Sequence, residues 1–228
     1  MGKLVAGRTG LNEKEAIAAD LDYFVTLTSG RSHAGYYPGS KEMWIKYVVE
    51  NATGRLLGAQ IVGRDGVDKR IDVLATAIIG GMTVSDIIDL ELAYAPPFGA
   101  AKDPVNMTAM VAENILTGVS KPITWEEYFS QDPKSKLVDV RSGEERKTIY
   151  IQGTDHIPID ELRSRLDELD PETPITIHCR IGQRGYFTEQ LLKGRGFKNV
   201  QNLAGGWRSM WGELAEDKLL GQEPDEDE

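Results

Sequence analysis

The pattern of apolar and polar residues in the first half of the chain predicts a short helix followed by a small antiparallel sheet. The helix covers residues 13–20 and follows Asn12, with Glu15 at the spacing of a capping box. Strands are predicted for three runs rich in Val, Ile, Leu, Tyr and Thr, namely residues 22–28, 42–50 and 55–62. Segment 51–54 begins with Asn and ends with Gly, so we expect the last two strands to be antiparallel neighbours.

A helical period replaces the strand pattern after this sheet. Five apolar residues recur at the spacing of one helix face: Ile71, Leu74, Ala75, Ile78 and Ile79. This face predicts a core helix that ends at Gly80-Gly81. Thr83 is predicted to cap a second short helix, and residues 105–116 to form a third, which Pro104 starts and Gly118 ends.

The second half alternates strands and helices, the order that produces a parallel sheet with helices on its faces. Strands are predicted for residues 137–140, 175–178 and 200–203, and helices for residues 160–169, 185–193 and 207–214. The pattern changes between Gly118 and Pro122. We therefore expect a two-domain α/β protein, with an α+β domain containing a small antiparallel sheet over residues 8–118 and a parallel α/β domain over residues 122–215.

Composition and charge narrow the classes of function. The chain has 228 residues, 27% of them charged, and no apolar stretch long enough for a membrane span. A formal net charge of -10 argues against a nucleic-acid partner, because phosphates require a basic face. Five acids lie within residues 221–228, so residues 216–228 are predicted to be a disordered acidic tail. With one cysteine and no readable secretory signal, the protein is expected to be cytoplasmic.

The single cysteine, Cys179, stands where a predicted strand turns through a glycine-containing loop into a helix. Ligands of parallel sheets lie beyond the carboxyl ends of the strands, and loop amides and a helix N-terminus favour an anion there. A thiolate is such an anion, so Cys179 is predicted to be a nucleophile rather than a buried apolar side chain. The candidate binding residues follow it directly: Arg180, Ile181, Gly182, Gln183, Arg184 and Gly185. His178 points to the opposite face of the strand and is expected to be structural.

The loop length separates two thiol chemistries. From Cys179 to Arg184 the spacing is C-x4-R, one residue shorter than the C-x5-R ring of tyrosine-type phosphatases, and this favours sulfur transfer over phosphate-ester hydrolysis. Three further segments accompany the loop: Val138-Asp139-Val140-Arg141 with Glu144-Glu145, residues 156–162, and residues 203–207 with Gly205-Gly206-Trp207. With these motifs residues 120–215 resemble rhodanese domains. The resemblance implies a sulfane-sulfur donor and a thiol acceptor that meet at Cys179, with Asp139 and Arg141 supporting the loop.

The first half carries a second set of motifs, which lie at residues 31–39, 53–63, 92–98 and 101–106. With them residues 8–118 resemble the C-terminal dimerisation domain of pyridine nucleotide-disulfide oxidoreductases, in the subgroup of coenzyme A-disulfide reductases. Some members of that subgroup end in a rhodanese domain and act as coenzyme A persulfide or polysulfide reductases. The resemblance implies a homodimer or a flavoprotein partner, and a disulfide-facing or flavin-facing position for Tyr94 and for Tyr36 or Tyr37.

No dinucleotide-binding fold of such a reductase is predicted, because no G-x-G-x-x-G follows a strand. The resemblance assigns FAD, NAD(P)H and coenzyme A to the full-length family, and we expect no cofactor and no metal in this chain. The first hypothesis is a rhodanese-type sulfurtransferase that carries a persulfide on Cys179. The second is a non-catalytic assembly module that pairs with a separate flavoprotein half, and a phosphatase is a weaker third.

Overall fold

The structure, a computed structural model, describes residues 4–210 and 220–221. The chain divides into two compact units, Met1–Val119 and Ser120–Glu228. Across the described residues, every helix is too short or too polar to cross a bilayer. The same residues contain no group of three or more His, Cys, Asp and Glu side chains that could hold a metal ion.

The first unit is a four-stranded antiparallel sheet packed against helices. Its strands are β1 (Val5–Gly10), β2 (Tyr23–Arg31), β3 (Glu42–Glu50) and β4 (Leu56–Gly63), in the order β1-β4-β3-β2. Its helices are α1 (Glu13–Ala18), α2 (Val67–Ile79), α3 (Val84–Ile88) and α4 (Pro104–Leu116). β3 and β4 are antiparallel neighbours, which confirms the pairing predicted from segment 51–54. The core brings Ile45 and Ile61 of these strands against Leu74 of α2 and Ala109 of α4.

The sequence pattern misses β1, an edge strand that pairs with β4. Its residues include two glycines and little apolar periodicity, so strand propensity is weak there. Gly7 is needed because a Cβ at that position would lie 2.7 Å from Ile71 Cγ1 on α2. Close packing of the helix on the strand therefore explains a residue that local propensity disfavours.

The capping signals predict the helix ends correctly, whereas the apolar face predicted for α2 is wrong in part. Asn12 accepts a hydrogen bond from Glu15 N at 2.9 Å and forms the expected capping box, and Thr83 caps α3 in the same way. The apolar face predicted for α2 is wrong at its last position, because Ile79 is 90% exposed. The buried residues of α2 are Val67, Arg70, Leu74 and Ala77.

A buried ion pair ties three elements of the first unit together. Arg70 Nε and Nη2 donate to the two Asp103 carboxylate oxygens at 2.9 and 2.7 Å. Arg70 also donates to the carbonyls of Ser32, just after β2, and Gly66, just before α2. Asp103 accepts from Val105 N and so caps α4. One guanidinium thus connects the end of β2 with the starts of α2 and α4.

The second unit is built on a parallel sheet, as predicted. Its strands are β5 (Lys136–Asp139), β7 (Asp155–His156), β8 (Ile175–His178) and β9 (Val200–Asn202), in the order β7-β5-β8-β9. β6 (Tyr150–Ile151) and β10 (Leu220–Gly221) form a separate antiparallel pair. Among the described residues of this unit, the α-helices are α5 (Trp125–Ser130), α6 (Gly143–Thr148) and α7 (Gln183–Lys193). Three 3-10 helices cover Leu162–Ser164, Leu166–Glu168 and Trp207–Met210.

The continuous helix predicted for residues 160–169 is wrong. Two 3-10 turns stand there, divided at Arg165, whose φ of -121° and ψ of 22° leave the helical region. The Arg165 guanidinium donates to Glu161, Glu168 and the carbonyl of His156. These hydrogen bonds form where the helix is interrupted, and the apolar pattern of the sequence does not predict them.

The last predicted elements fall partly outside the described residues. The helix predicted for residues 207–214 is a 3-10 helix over Trp207–Met210, and the remainder of that prediction is not among the residues described. The predicted disordered tail, residues 216–228, also lies outside them apart from Leu220–Gly221, which pairs with β6.

Candidate active site

Cys179 directly follows β8, an interior strand of the parallel sheet, and its side chain is 1% exposed. The Gly182 N–H donates to Cys179 Sγ at 3.2 Å. Gly182 precedes α7 with a φ of +96°, a left-handed conformation that glycine adopts readily, and this turn aims its amide at the sulfur. The cysteine belongs to the buried core cluster that also contains Val140 and Ile177. The sulfur is therefore buried in an apolar cluster and accepts a hydrogen bond from one backbone amide.

The Gly205-Gly206-Trp207 segment holds the loop from one side. Trp207 N donates to the Cys179 carbonyl at 3.0 Å. A Cβ at Gly206 would lie 2.4 Å from that same carbonyl oxygen, and Gly206 has a φ of +61°. Trp125 Nε1 in turn donates to the Gly206 carbonyl at 3.2 Å. The two segments pack so closely that no side chain fits between them.

Asn202, the last residue of β9, holds the loop from the other side. Its Nδ2 donates to the Gly182 carbonyl at 3.0 Å. A Cβ at Gly185 would lie 2.0 Å from Asn202 Oδ1, so the first turn of α7 packs directly on the carboxamide. Gly185, predicted to bind substrate, is buried, and the absence of a side chain at this position leaves room for the Asn202 carboxamide.

A buried ion pair lies at the carboxyl end of the neighbouring strand β5. Arg141 Nε and Nη2 donate to Asp139 Oδ1 at 3.0 Å and Oδ2 at 2.6 Å, and Arg141 Nη2 also donates to the Ile149 carbonyl. Burial opposes ionisation of Asp139, but the electrostatic influence of His178 and the hydrogen bonds and charge of Arg141 hold its pKa below the ordinary value. The Arg141 guanidinium also faces the Trp207 ring at 5.4 Å from its centroid. The pair thus joins the turn after β5 to the segment that holds the cysteine loop.

His178 is fully buried beside this pair, and neither ring nitrogen has a hydrogen-bond partner among the described residues. Its Nε2 lies 4.0 Å from Asp139 Oδ2. Burial lowers the pKa of His178 to about 4, although Asp139 opposes that shift. The imidazole is therefore neutral near pH 7, as the expected structural role requires.

Arg184 lies in the first turn of α7, and its guanidinium is committed to Glu145 on α6. Arg184 Nη1 and Nη2 donate to the two Glu145 carboxylate oxygens at 2.5 and 2.7 Å. The bond from Arg184 lowers the pKa of Glu145 to about 2. Among the other predicted binding residues, Arg180 and Gln183 are exposed and Ile181 is half-buried. Because its charge is balanced by a carboxylate, Arg184 adds little net positive charge to the cysteine loop.

The tyrosines predicted in the first unit are also brought together. Tyr36 Oη and Tyr94 Oη lie 3.3 Å apart, and Tyr36 is 77% exposed. Tyr37 instead packs edge-on against the His33 ring, at 5.8 Å between centroids. Between the two alternatives the structure thus pairs Tyr36 with Tyr94, and the bond between the two hydroxyls raises the pKa of Tyr36.

Family models match both halves of the chain. The model of the pyridine nucleotide-disulphide oxidoreductase dimerisation domain matches residues 2–104, and that of the rhodanese-like domain matches residues 126–213. The chain therefore matches a dimerisation domain of this family followed by a rhodanese-like domain. The range matched by the rhodanese-like model contains Cys179 and the loop contacts made by Asn202, Gly206 and Trp207.

Two solved structures resemble most of this chain. A crystal structure of reduced Bacillus anthracis CoADR-RHD is 43% identical with a TM-score of 0.89, over 94% of this chain and 38% of that one. A structure of an NAD-dependent persulfide reductase from A. fulgidus is 41% identical with a TM-score of 0.84, over 92% of this chain and 38% of that one. This chain therefore corresponds to little more than a third of either structure.

Curated proteins match over less than half of this chain. The NAD(P)H coenzyme A polysulfide/persulfide reductase of Pyrococcus horikoshii is 43% identical over 105 residues, 46% of this chain and 23% of that protein. The coenzyme A disulfide reductase of Staphylococcus epidermidis is 38% identical over 94 residues, 41% of this chain and 22% of that protein. The chain thus spans about a quarter of the length of these curated relatives.

Sequence reasoning missed two residues of the rhodanese-like domain that contact the cysteine loop or its arginine. Glu145 was visible as part of a motif and as the third residue after Ser142, the spacing of a capping box that the structure contains. That spacing predicts the start of a helix, but it does not predict the hydrogen bonds between Glu145 and Arg184. Asn202 lies at the end of a short strand, and no local signal distinguishes it.

Proposed function

We propose that the rhodanese-like domain is a sulfurtransferase that carries sulfur as a persulfide on Cys179. The Cys179 thiolate attacks the outer sulfur of a donor R–S–SH, the sulfur–sulfur bond of the donor breaks, and R–S⁻ leaves. Cys179 then holds the S–SH group and passes its outer sulfur to an acceptor thiolate in the same way. The names of the relatives, which specify coenzyme A, polysulfide and persulfide, support a donor of this class.

The hydrogen bond from Gly182 N–H to Cys179 Sγ is the observation that carries this proposal. A backbone donor held by Asn202 and placed at a helix N-terminus stabilises negative charge on sulfur before and after transfer. The alternative of phosphate-ester hydrolysis is less well supported, because the Arg184 guanidinium that would grasp a phosphate is bound to Glu145.

The Cys179→Ser variant tests the proposal directly. We expect it to abolish sulfur transfer from thiosulfate and from a small organic persulfide, and to unfold in urea at nearly the same midpoint as the unmodified chain. Full turnover by the variant with either donor would show that the proposal is wrong.

A second proposal concerns the first unit, which we assign to assembly, either as a homodimer or with a flavoprotein partner. The match to a dimerisation domain and a group of exposed aromatic residues support it; the group consists of Tyr36, Tyr37, Tyr94 and Phe98. Light scattering should give about twice the chain mass of 25.2 kDa. Phe98→Ser should weaken the dimer, while Phe187→Ser, a change at an exposed aromatic of the second unit, should not. A monomeric unmodified chain would contradict the homodimer.

The residues described do not fit a dinucleotide. The turn between β8 and α7 carries Cys179 and the ion-paired Arg184, where a dinucleotide site needs a glycine-rich phosphate-binding turn. We therefore propose that flavin and nicotinamide chemistry, where it is coupled to this sulfur transfer, comes from outside these residues. The lone cysteine also leads us to propose a reducing, cytoplasmic setting.

A further inference from the structure

The Cys179 loop contains an arginine whose charge is already balanced. Both Arg184 end nitrogens are bound to the Glu145 carboxylate, and the two side chains are 32% and 34% exposed. The Glu145 bonds raise the pKa of Arg184 most, and the charge of Cys179 adds to that shift. The sulfur and the guanidinium therefore influence each other, so a change in the net charge at Arg184 reaches the reacting group.

The pair leaves little net positive charge for a donor to meet. Glu145 stays ionised throughout the neutral range, since its pKa is about 2. The remaining attraction for an anion comes from the exposed Arg180, from the Gly182 amide and from the N-terminus of α7, whose dipole amounts to a partial charge of about one half. Such a site suits a donor with no charge or one charge at its reacting end better than a donor with two.

We infer that Glu145 determines donor specificity, by neutralising Arg184 so that Cys179 selects organic persulfides over doubly charged thiosulfate. The inference rests on the proposed sulfur transfer and concerns which donors that site takes. With thiosulfate, the Cys179 thiolate takes the sulfane sulfur, the S–S bond breaks and sulfite leaves. The thiolate charge and the two donor charges are then together in the loop. An organic persulfide, R–S–SH or its anion R–S–S⁻, brings at most one charge at its reacting end, at least one fewer than thiosulfate.

Glu145→Gln removes the carboxylate charge and keeps the local fold. Glu145 also forms the capping box of α6, accepting from Ser142 N at 3.2 Å, and glutamine serves that position as well as glutamate does. Glu144→Gln is a matched control: it removes the same charge one residue away, from a side chain that is 88% exposed and ion-paired with Lys147 rather than with Arg184.

The experiment measures kcat/KM for thiosulfate and for 2-hydroxyethyl persulfide and takes their ratio. Glu145→Gln should raise the thiosulfate-to-persulfide ratio about fivefold, the order expected when one extra donor charge meets a nearby, partly screened cation. High salt should reduce the increase, and Glu144→Gln should leave the ratio unchanged. Adding Arg184→Gln to Glu145→Gln should return the ratio to that of the unmodified chain, because the pair is again neutral.

The possible results separate this inference from the proposed function. An unchanged ratio in Glu145→Gln, or an equal rise in Glu144→Gln, overturns the role of Glu145 while sulfur transfer stands. Failure of the double variant to restore the ratio also overturns it, because the effect is then not one of charge. If the unmodified chain takes sulfur from neither donor, both the inference and the proposed function are wrong.

Discussion

The contact between Gly185 and Asn202 provides a sharp test of how the cysteine loop is held. A Cβ at Gly185 would lie 2.0 Å from Asn202 Oδ1 and 3.0 Å from its Cγ. At an exposed helical position, Gly→Ala would stabilise by about 1 kcal/mol. Here the methyl group displaces a carboxamide that donates to the Gly182 carbonyl at 3.0 Å. Gly185→Ala therefore displaces Asn202, the residue that holds Gly182, whose amide contacts Cys179.

The magnitude follows from what the displaced carboxamide loses. A lost hydrogen bond and a buried amide left without a partner together cost about 3 kcal/mol, and the helix propensity of alanine returns about 1 kcal/mol. We expect Gly185→Ala to lower the free energy of unfolding by about 2 kcal/mol and Asn202→Ala to lower it by a similar amount. In the double variant the clash is absent, so the total loss should be only about 1 kcal/mol.

Urea unfolding of the two single variants and the double variant measures this coupling. Gly143→Ala is the matched control, since nothing lies within 4 Å of a Cβ at that helical position, and it should be neutral or slightly stabilising. Sulfur transfer should fall more than about tenfold in Gly185→Ala, because the Gly182 amide is displaced. If the single effects add to within about 0.5 kcal/mol, the clash is absent and the account of the loop support is wrong.

Three further predictions concern buried groups. Burial lowers the pKa of His178 to about 4, so as the pH falls the imidazole is protonated in the unfolded chain before it is protonated in the folded one. The free energy of unfolding should therefore fall by about 3 kcal/mol between about pH 6.5 and pH 4. In urea unfolding, His178→Gln should lack this part of the pH dependence. Gly206→Ala places a methyl group 2.4 Å from the Cys179 carbonyl, so it should remove sulfur transfer, and normal turnover would contradict the close packing. Asp103→Asn leaves Arg70 buried without a countercharge and should cost about 3 to 5 kcal/mol, measured by thermal unfolding of the first unit.

The parts of the fold that the sequence predicts are those specified by neighbouring residues. Capping boxes at Asn12 and Thr83 are complete within four residues, and the strand, loop and helix around Cys179 form one continuous segment. Their side chains and backbone groups interact locally, so the pattern is present before the chain folds.

The parts that the sequence leaves open depend on contacts between distant residues. Glu145 and Arg184 are 39 positions apart, and Asn202 meets Gly182 across 20. β1 depends in the same way on α2, which covers Gly7. Residues of this kind are fixed by tertiary packing, which overrides local propensity and has no periodic signature.

Intact-protein mass spectrometry after exposure to an organic persulfide tests the central claim most directly. The account predicts an addition of about 32 Da, the mass of one sulfur atom, located on Cys179 and removed by an acceptor thiol. The Cys179→Ser variant should show no addition under the same conditions. A chain that remains unmodified, or an addition that persists in the variant, would contradict the claim that Cys179 carries the transferred sulfur.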